Sequence, residues 1–370
     1  MAEPLKNHFD EAVVRRIGAM LRSVHPGFPE RRFVADATKG LGRLELVDRA
    51  RHVATAMRRA LPADFDEAAR IIVASLGPTL DRTEGFGMAV FLYLPHVIFV
   101  AENGLDHFEA SMAAQHALTR RFTAEFSIRA FLERDPARTL ARLRDWARDP
   151  DVHVRRLVSE GTRPRLPWAP RLRSFQRDPR PVLELLELLR DDPEPYVRRS
   201  VANNLNDIGK DHPELLIEVC TRWARRAPAE RMGLIQHALR WLVKSGDRRA
   251  LRVLGFEGGD KVRVAGRIRP RRIRVGESCA IELSLENRAR AAQAVVVDLA
   301  VHFIKADGRA RAKVFKVRSL RLAPGEKATI AKAISFAQRT TRRHHPGRHR
   351  IEALVNGRAV RVGHVDVVGG

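Results

Sequence analysis

From Glu11 onward the apolar positions recur at helical spacing: Val13-Val14, Ile17 and Met20-Leu21 share one face, and Pro26-Gly27 closes the segment. Similar faces follow at Leu44-Val47-Ala50, Ala54-Met57-Leu61 and Ala68-Ile71-Ile72-Leu76, broken by Pro62-Ala63-Asp64 and Gly77-Pro78. This part predicts short antiparallel helices. Leu140-Leu143-Trp146 and Val182-Leu185-Leu186-Leu189 each lead into an acidic turn, Asp149-Pro150-Asp151 and Asp192-Pro193-Glu194, and then into Val-Arg-Arg. Two further helical stretches, 215–223 and 232–243, close the helical part. At Gly255 the period changes. Residues 261–264, 281–285, 295–303, 313–317, 328–334 and 349–355 alternate or run β-branched between Gly, Asn and Pro breaks, which predicts an immunoglobulin-like β-sandwich.

A short pattern repeats within the helices: Arg120-Arg121-Phe122-Thr123-Ala124-Glu125, Arg155-Arg156-Leu157-Val158-Ser159-Glu160 and Arg198-Arg199-Ser200-Val201-Ala202-Asn203. The copies stand 35 and 43 residues apart and the acidic turns keep the second spacing, as two-helix repeats stacked into a solenoid require. Equivalent positions then line one concave wall. Glu125, Glu160 and Asn203 stand there, where a helix used only for packing would carry an aliphatic residue. As isolated residues the glutamates have a plainer reading, exposed pairs with Arg121 and Arg156 four positions earlier. The arginine pairs are either solvated faces or a ladder for phosphates. Between the last two copies, Thr162-Arg163-Pro164-Arg165-Leu166-Pro167-Trp168-Ala169-Pro170 cannot be one helix and can hold Trp168 at a loop tip, the alternative being a packing tryptophan. Asn203, Asn204, Asn206 and Asp207 precede Gly209, four polar side chains and more than a helix end requires, and Lys210 follows it.

Composition sharpens the choice of partner. The 370 residues carry a formal charge of +24, a field that attracts polyanions, nucleic acid before membrane. Residues 256–370 hold 25 Lys and Arg against 10 Asp and Glu, and Arg271-Arg272 and Arg342-Arg343 read as loop tips there. Cys220 and Cys279 have no spacing for zinc or a disulfide framework, which together with the lack of a signal peptide predicts a reducing cytoplasm. The most apolar window, 88–100, is too short to span a bilayer and contains Pro95 and His96, so no membrane is expected. The histidines lack ligand spacing and no glycine-rich phosphate loop precedes a helix, so neither metal nor nucleotide cofactor is expected.

At residues 122–129, at Ser159-Glu160-Gly161-Thr162-Arg163-Pro164-Arg165-Leu166-Pro167-Trp168 and at residues 203–213, the chain resembles the AlkC branch of the HEAT-repeat alkylpurine DNA glycosylases. The resemblance implies an α-helical HEAT-like repeat solenoid over residues 1–255 and an all-β immunoglobulin-like sandwich over residues 256–370. It implies a bacterial, nucleoid-associated monomer that acts on double-stranded DNA containing alkylated bases. The implied reaction is excision of 3-methyladenine and 3-methylcytosine by N-glycosidic hydrolysis, without full base flipping. Glu125 and Glu160 would take the carboxylate positions and Trp168 the aromatic one. Arg120, Arg121, Arg155, Arg156, Arg163, Arg165, Arg198, Arg199, Asn203, Asn206, Asp207, Lys210, Arg271, Arg272, Arg342 and Arg343 are the expected DNA contacts. The rival is a non-enzymatic helical-repeat scaffold binding nucleic acid or an acidic protein through the same surface.

Overall fold

The computed structural model describes residues 4–257, 259–338 and 343–369, and by its contacts the chain divides into two compact units, Met1–Asp211 and His212–Gly370. The first contains α1 (Glu11–Val24), α2 (Glu30–Thr38), α3 (Leu46–Ala60), α4 (Phe65–Ser75), α5 (Leu94–Asn103), α6 (Phe108–Thr119), α7 (Ile128–Arg134), α8 (Pro136–Trp146), α9 (Val152–Gly161), α10 (Arg173–Arg177), α11 (Arg180–Leu189) and α12 (Pro195–Ile208). The helical period decides what is buried: α1 turns Val14, Ile17 and Leu21 inward, and α11 does the same with Val182, Leu185, Leu186 and Leu189. Helix starts are marked by aspartates whose carboxylates accept early backbone N–H groups, Asp10 from Val13, Asp64 from Glu67 and Asp135 from Arg138. The nine-residue α2 was not legible in the hydrophobic pattern, since only Phe33, Val34 and Ala37 face inward.

The two acidic turns are built alike. Asp149 Oδ1 accepts the N–H of Asp151 at 2.8 Å, and Asp192 Oδ1 that of Glu194 at 2.9 Å. The second helices that follow, α9 and α12, pack side by side and carry the second and third copies of the arginine motif at matching places. The first copy departs from the expected equivalence. Arg120 is the C-cap of α6, and Glu125 lies in the non-helical stretch before α7. The cause is local: the Thr123 hydroxyl accepts the Glu125 N–H at 3.2 Å, a side-chain turn that competes with the helix.

The first arginine of each motif fastens turns. Arg155 donates Nε and Nη2 to the two oxygens of Asp192 (2.7 and 3.2 Å) and Nη1 to the carbonyls of Asp149 and Pro150. Arg120 Nε reaches Asp151 Oδ2 at 2.9 Å, and Arg198 Nη1 bonds the carbonyls of Asp192 and Pro193.

The second unit begins with α13 (Pro213–Ala224), α14 (Ala229–Ala238), α15 (Arg240–Lys244) and α16 (Arg248–Val253), then turns to strand. Its strands are β1 (Val262–Arg269), β2 (Arg272–Arg274), β3 (Ser278–Asn287), β4 (Gln293–Ile304), β5 (Ala310–Leu322), β6 (Lys327–Ser335), β7 (Gly347–Val355) and β8 (Arg358–Val368). They form a three-stranded sheet ordered β1-β3-β6 and a five-stranded sheet ordered β2-β8-β7-β4-β5, antiparallel throughout except for the parallel β2–β8 pair. Alternation sends Ile281, Leu283 and Leu285 from one sheet and Val295, Val297, Leu299 and Val301 from the other into a common core. Arg272 is corrected from loop tip to edge strand: β2 has only three residues, too few for a period to show. It stays exposed, as do Arg271 and Arg343, and Arg342 lies outside the described residues.

Asp192 is buried and carries both the turn and the Arg155 pair. Asp192→Ala should cost about 3 kcal/mol, because the half-buried Arg155 guanidinium loses its carboxylate partner and the turn loses its acceptor. Urea unfolding of the variant beside Asp192→Asn, which keeps the turn acceptor, measures it.

Candidate active site

Three carboxylates and two guanidiniums alternate along one row where α9, α12 and the Thr123–Glu125 turn meet. Arg156 Nη1 donates to Glu125 Oε2 at 2.6 Å, and its Nη2 lies 3.6 Å from Glu160 Oε1. Arg163 donates Nη1 to Glu160 Oε1 at 2.6 Å and Nε to Asp207 Oδ2 at 2.9 Å. Lys210 Nζ closes the row on Asp207 Oδ1 at 2.8 Å. Hydroxyls fill further positions: Thr123 Oγ1 donates to Glu125 Oε2, and Ser200 Oγ to Glu160 Oε2 at 2.6 Å. Glu125, Glu160 and Asp207 are all buried. Unpaired they would be costly there, and the alternation of sign is what makes the cluster tenable.

The charges tune one another. Burial pushes the Glu160 carboxyl up, yet Arg156, Arg163 and the Ser200 hydroxyl outweigh it and hold the carboxyl below its ordinary range. For Arg156, burial acts downward and is overcome by Glu125 and Glu160, so its pKa rises. Its guanidinium also lies 5.4 Å from the centre of the Tyr196 ring. The row leaves one oxygen over. Both oxygens of Glu160 and both of Asp207 accept hydrogen bonds, whereas Glu125 Oε1 has no partner among the described residues.

A loop carrying Trp168 adjoins the row. Its two ends are pinned by one side chain: Arg129, on α7, donates Nη1 to the carbonyls of Gly161 (3.1 Å) and Arg163 (2.7 Å) and Nη2 to that of Pro170. The Leu172 N–H closes the loop onto the Pro164 carbonyl at 3.2 Å. Burial lowers the Arg129 pKa to about 10, which leaves it charged at neutral pH. Trp168 has φ +63°, unusual for a bulky residue, and its side chain is 65% exposed. The packing alternative for Trp168 is thereby excluded. On one side it helps enclose, with Phe91, Leu94 and Phe126, an apolar cavity of about 200 Å³.

Several expected contacts stand differently. Arg155, Arg156 and Arg163 do not form an open phosphate ladder, because turns and carboxylates occupy their N–H groups. Glu125 pairs with Arg156 of the second motif copy rather than with Arg121, which bonds the Gly77 and Ala117 carbonyls. Arg165 is held by both oxygens of Asp211. Arg199 is exposed and 3.5 Å from Glu84. Asn203 is half-buried, and Asn206 is buried in the same helix. Asp207, expected as a DNA contact, is instead the third carboxylate of the row. It lies four residues after Asn203, one helical turn along the same face. Thr123, Ser200 and Tyr196 were missed as site residues, and Thr123 and Ser200 stood inside the repeated motif. Among the described residues no group of three His, Cys, Asp or Glu is placed to hold a metal ion.

Arg156→Met removes the cation that Glu125 and Glu160 share. A carboxyl held low, as Glu160 is, contributes stability above its unfolded pKa and loses it as pH falls through the folded one. The variant should therefore be destabilised most at neutral pH, with the deficit shrinking below about pH 4, where carboxyls protonate. Unfolding midpoints of both proteins across that range check this.

Residues 108–242, which include all three carboxylates, match the family described as DNA alkylation repair enzyme. Residues 263–369 match the family described as the C-terminal Ig-like domain of the uncharacterised protein YhaZ. YhaZ of Bacillus subtilis (strain 168) is 36% identical over 355 residues, covering 95% of this chain and 96% of that protein. Among solved structures, Pseudomonas fluorescens alkylpurine DNA glycosylase AlkC, bound to DNA containing an abasic site analog, is similar over 99% of this chain and 100% of that one, at 35% identity and a TM-score of 0.87. Similarity of this extent, reaching both units, means that the chain belongs to the AlkC branch of the DNA alkylation repair proteins that carry a C-terminal Ig-like domain.

Proposed function

We propose that this protein is a DNA glycosylase that removes cationic N3-alkylated bases, 3-methyladenine and 3-methylcytosine, from duplex DNA by hydrolysing the N-glycosidic bond. The observation that carries the reading is the buried row Glu125–Arg156–Glu160–Arg163–Asp207 beside the exposed Trp168. An N3-alkylated base is positively charged and departs with the bonding pair as a neutral molecule, so the protein need not protonate it. Positive charge then develops on the sugar as an oxocarbenium-like centre. Preorganised carboxylates stabilise such a centre electrostatically, in the manner of a glycosidase carboxylate. Water adds to C1′ and gives up its proton. Glu125, with Oε1 uncommitted, is the group to orient that water and take the proton, while Glu160 and Asp207, tied on both oxygens, act through their field.

The face of Trp168 favours a cationic base over a neutral one by cation–π attraction, about 1–2 kcal/mol. A lesion met by an aromatic side chain at a loop tip need not leave the duplex completely, which fits excision without full flipping. The basic sandwich, with Arg271, Arg272 and Arg343 exposed, grips backbone phosphates. We place the helical-repeat catalytic domain at residues 1–255 and the sandwich at 256–370, acting as a monomer in the bacterial cytoplasm without a cofactor. No helix of the described residues is long and apolar enough to cross a membrane.

The deciding experiment is incubation of the purified protein with methylated duplex DNA and identification of released bases by mass; binding without release would leave only a scaffold. Glu125→Gln and Glu160→Gln should each slow single-turnover release by about 10²–10³ while duplex affinity is kept. A loss of release matched by a fall in melting temperature would make the residue structural instead. Trp168→Ala, at a side chain two-thirds exposed, should leave melting unchanged and lower the preference for alkylated over undamaged duplex. Competition binding with the two duplexes measures that preference.

A further inference from the structure

The guanidiniums that the sequence singled out are largely taken by carboxylates and carbonyls, so the phosphate contacts close to the reaction must come from elsewhere. Immediately after the Trp168 loop stand Arg171, Arg173 and Arg177. All three are exposed, and none has a side-chain hydrogen bond or ion pair among the described residues. Arg173 and Arg177 are four positions apart on α10 and so share a face, and Arg171 leads into it. Together they line a cleft of about 760 Å³ whose other walls are Leu132, Glu133, Pro136 and Phe175. One carboxylate, Glu133, therefore faces three cations.

The cleft and the apolar cavity beneath Trp168 share one wall residue, Pro170. Arg129 holds the Pro170 carbonyl, so the two hollows keep a fixed relation across the loop. One side is apolar and faced by Trp168; the other is cationic and open. A base and the sugar-phosphate backbone to which it is attached differ in that same way. We propose that Arg171, Arg173 and Arg177 form a phosphate-binding cleft that grips the DNA backbone next to the alkylated nucleotide while Trp168 addresses the base. The inference rests on the glycosylase reading for the identity of its polyanion. It assigns the cleft a role in holding substrate, separate from the chemistry of the carboxylate row.

The test uses the full chain and a single duplex, with and without methylation. The variant Arg171→Gln/Arg173→Gln/Arg177→Gln is compared with wild type and with Arg16→Gln/Arg31→Gln/Arg70→Gln, which removes the same charge from three exposed positions elsewhere. Each phosphate contact contributes about −0.9 to the slope of log K against log salt, so the cleft variant should bind with a slope shallower by about 2–3. The control should keep the wild-type slope. In single-turnover assays the cleft variant should need more protein to reach half-maximal release and then attain the wild-type maximal rate, since the carboxylates are untouched. An unchanged slope in the cleft variant would overturn the proposal, and so would an equal change in the control, which would reduce the effect to total charge. Wild-type protein that binds duplex and releases no base would sink the glycosylase reading alone, and the slopes would still decide the cleft.

Discussion

The alternation of carboxylate and guanidinium from Glu125 to Asp207 is the constraint around which the first unit is arranged. Three carboxylates can be buried together only if cations lie between them, and those cations must reach more than one element. Arg156 on α9 reaches back to the turn before α7, and Arg163 beyond α9 reaches forward to α12. Each pair thus joins neighbouring helical layers. The arrangement that makes the buried cluster tenable is also what ties the layers together.

The Trp168 loop depends on that row for its base. Arg163 is held by Glu160 and Asp207 through its side chain and by Arg129 through its carbonyl, so the first residues of the loop are fixed by the carboxylate row itself. Arg129 then returns from α7 to hold Pro170. Between these anchors the backbone carries Trp168 at positive φ with its ring toward solvent. Strain of this kind persists only where the surroundings over-determine it, and here a buried guanidinium with three carbonyl partners does so.

Net charge gives a poor account of which cations are available to a polyanion. The chain carries an excess of 24 positive charges, yet the arginines of the repeated motif chiefly fasten turns and compensate carboxylates. What matters is which guanidiniums have donors left over. Arg171, Arg173 and Arg177, just after the Trp168 loop, keep theirs, and no repeat or spacing marks them. Compensated and uncompensated arginines thus lie close together in the chain.

Local pattern determined much of this protein by itself. Helical period, aspartate turns in register and the change of period near residue 255 are properties of neighbouring residues, and they specified a helical part followed by a β-sandwich. Glu125, Glu160 and an exposed Trp168 were legible because a repeated motif and a proline-bounded loop marked them. Tertiary structure decided the rest, for physical reasons that no spacing contains. Thr123 turned the first motif copy out of the helix by capturing the Glu125 N–H, and so brought that carboxylate to Arg156, 31 residues away, instead of to Arg121. Asp207 joined the glutamates because Arg163 crosses 44 residues of sequence to reach it. Which charges neutralise one another depends on distances across helices, and only the packed chain sets those.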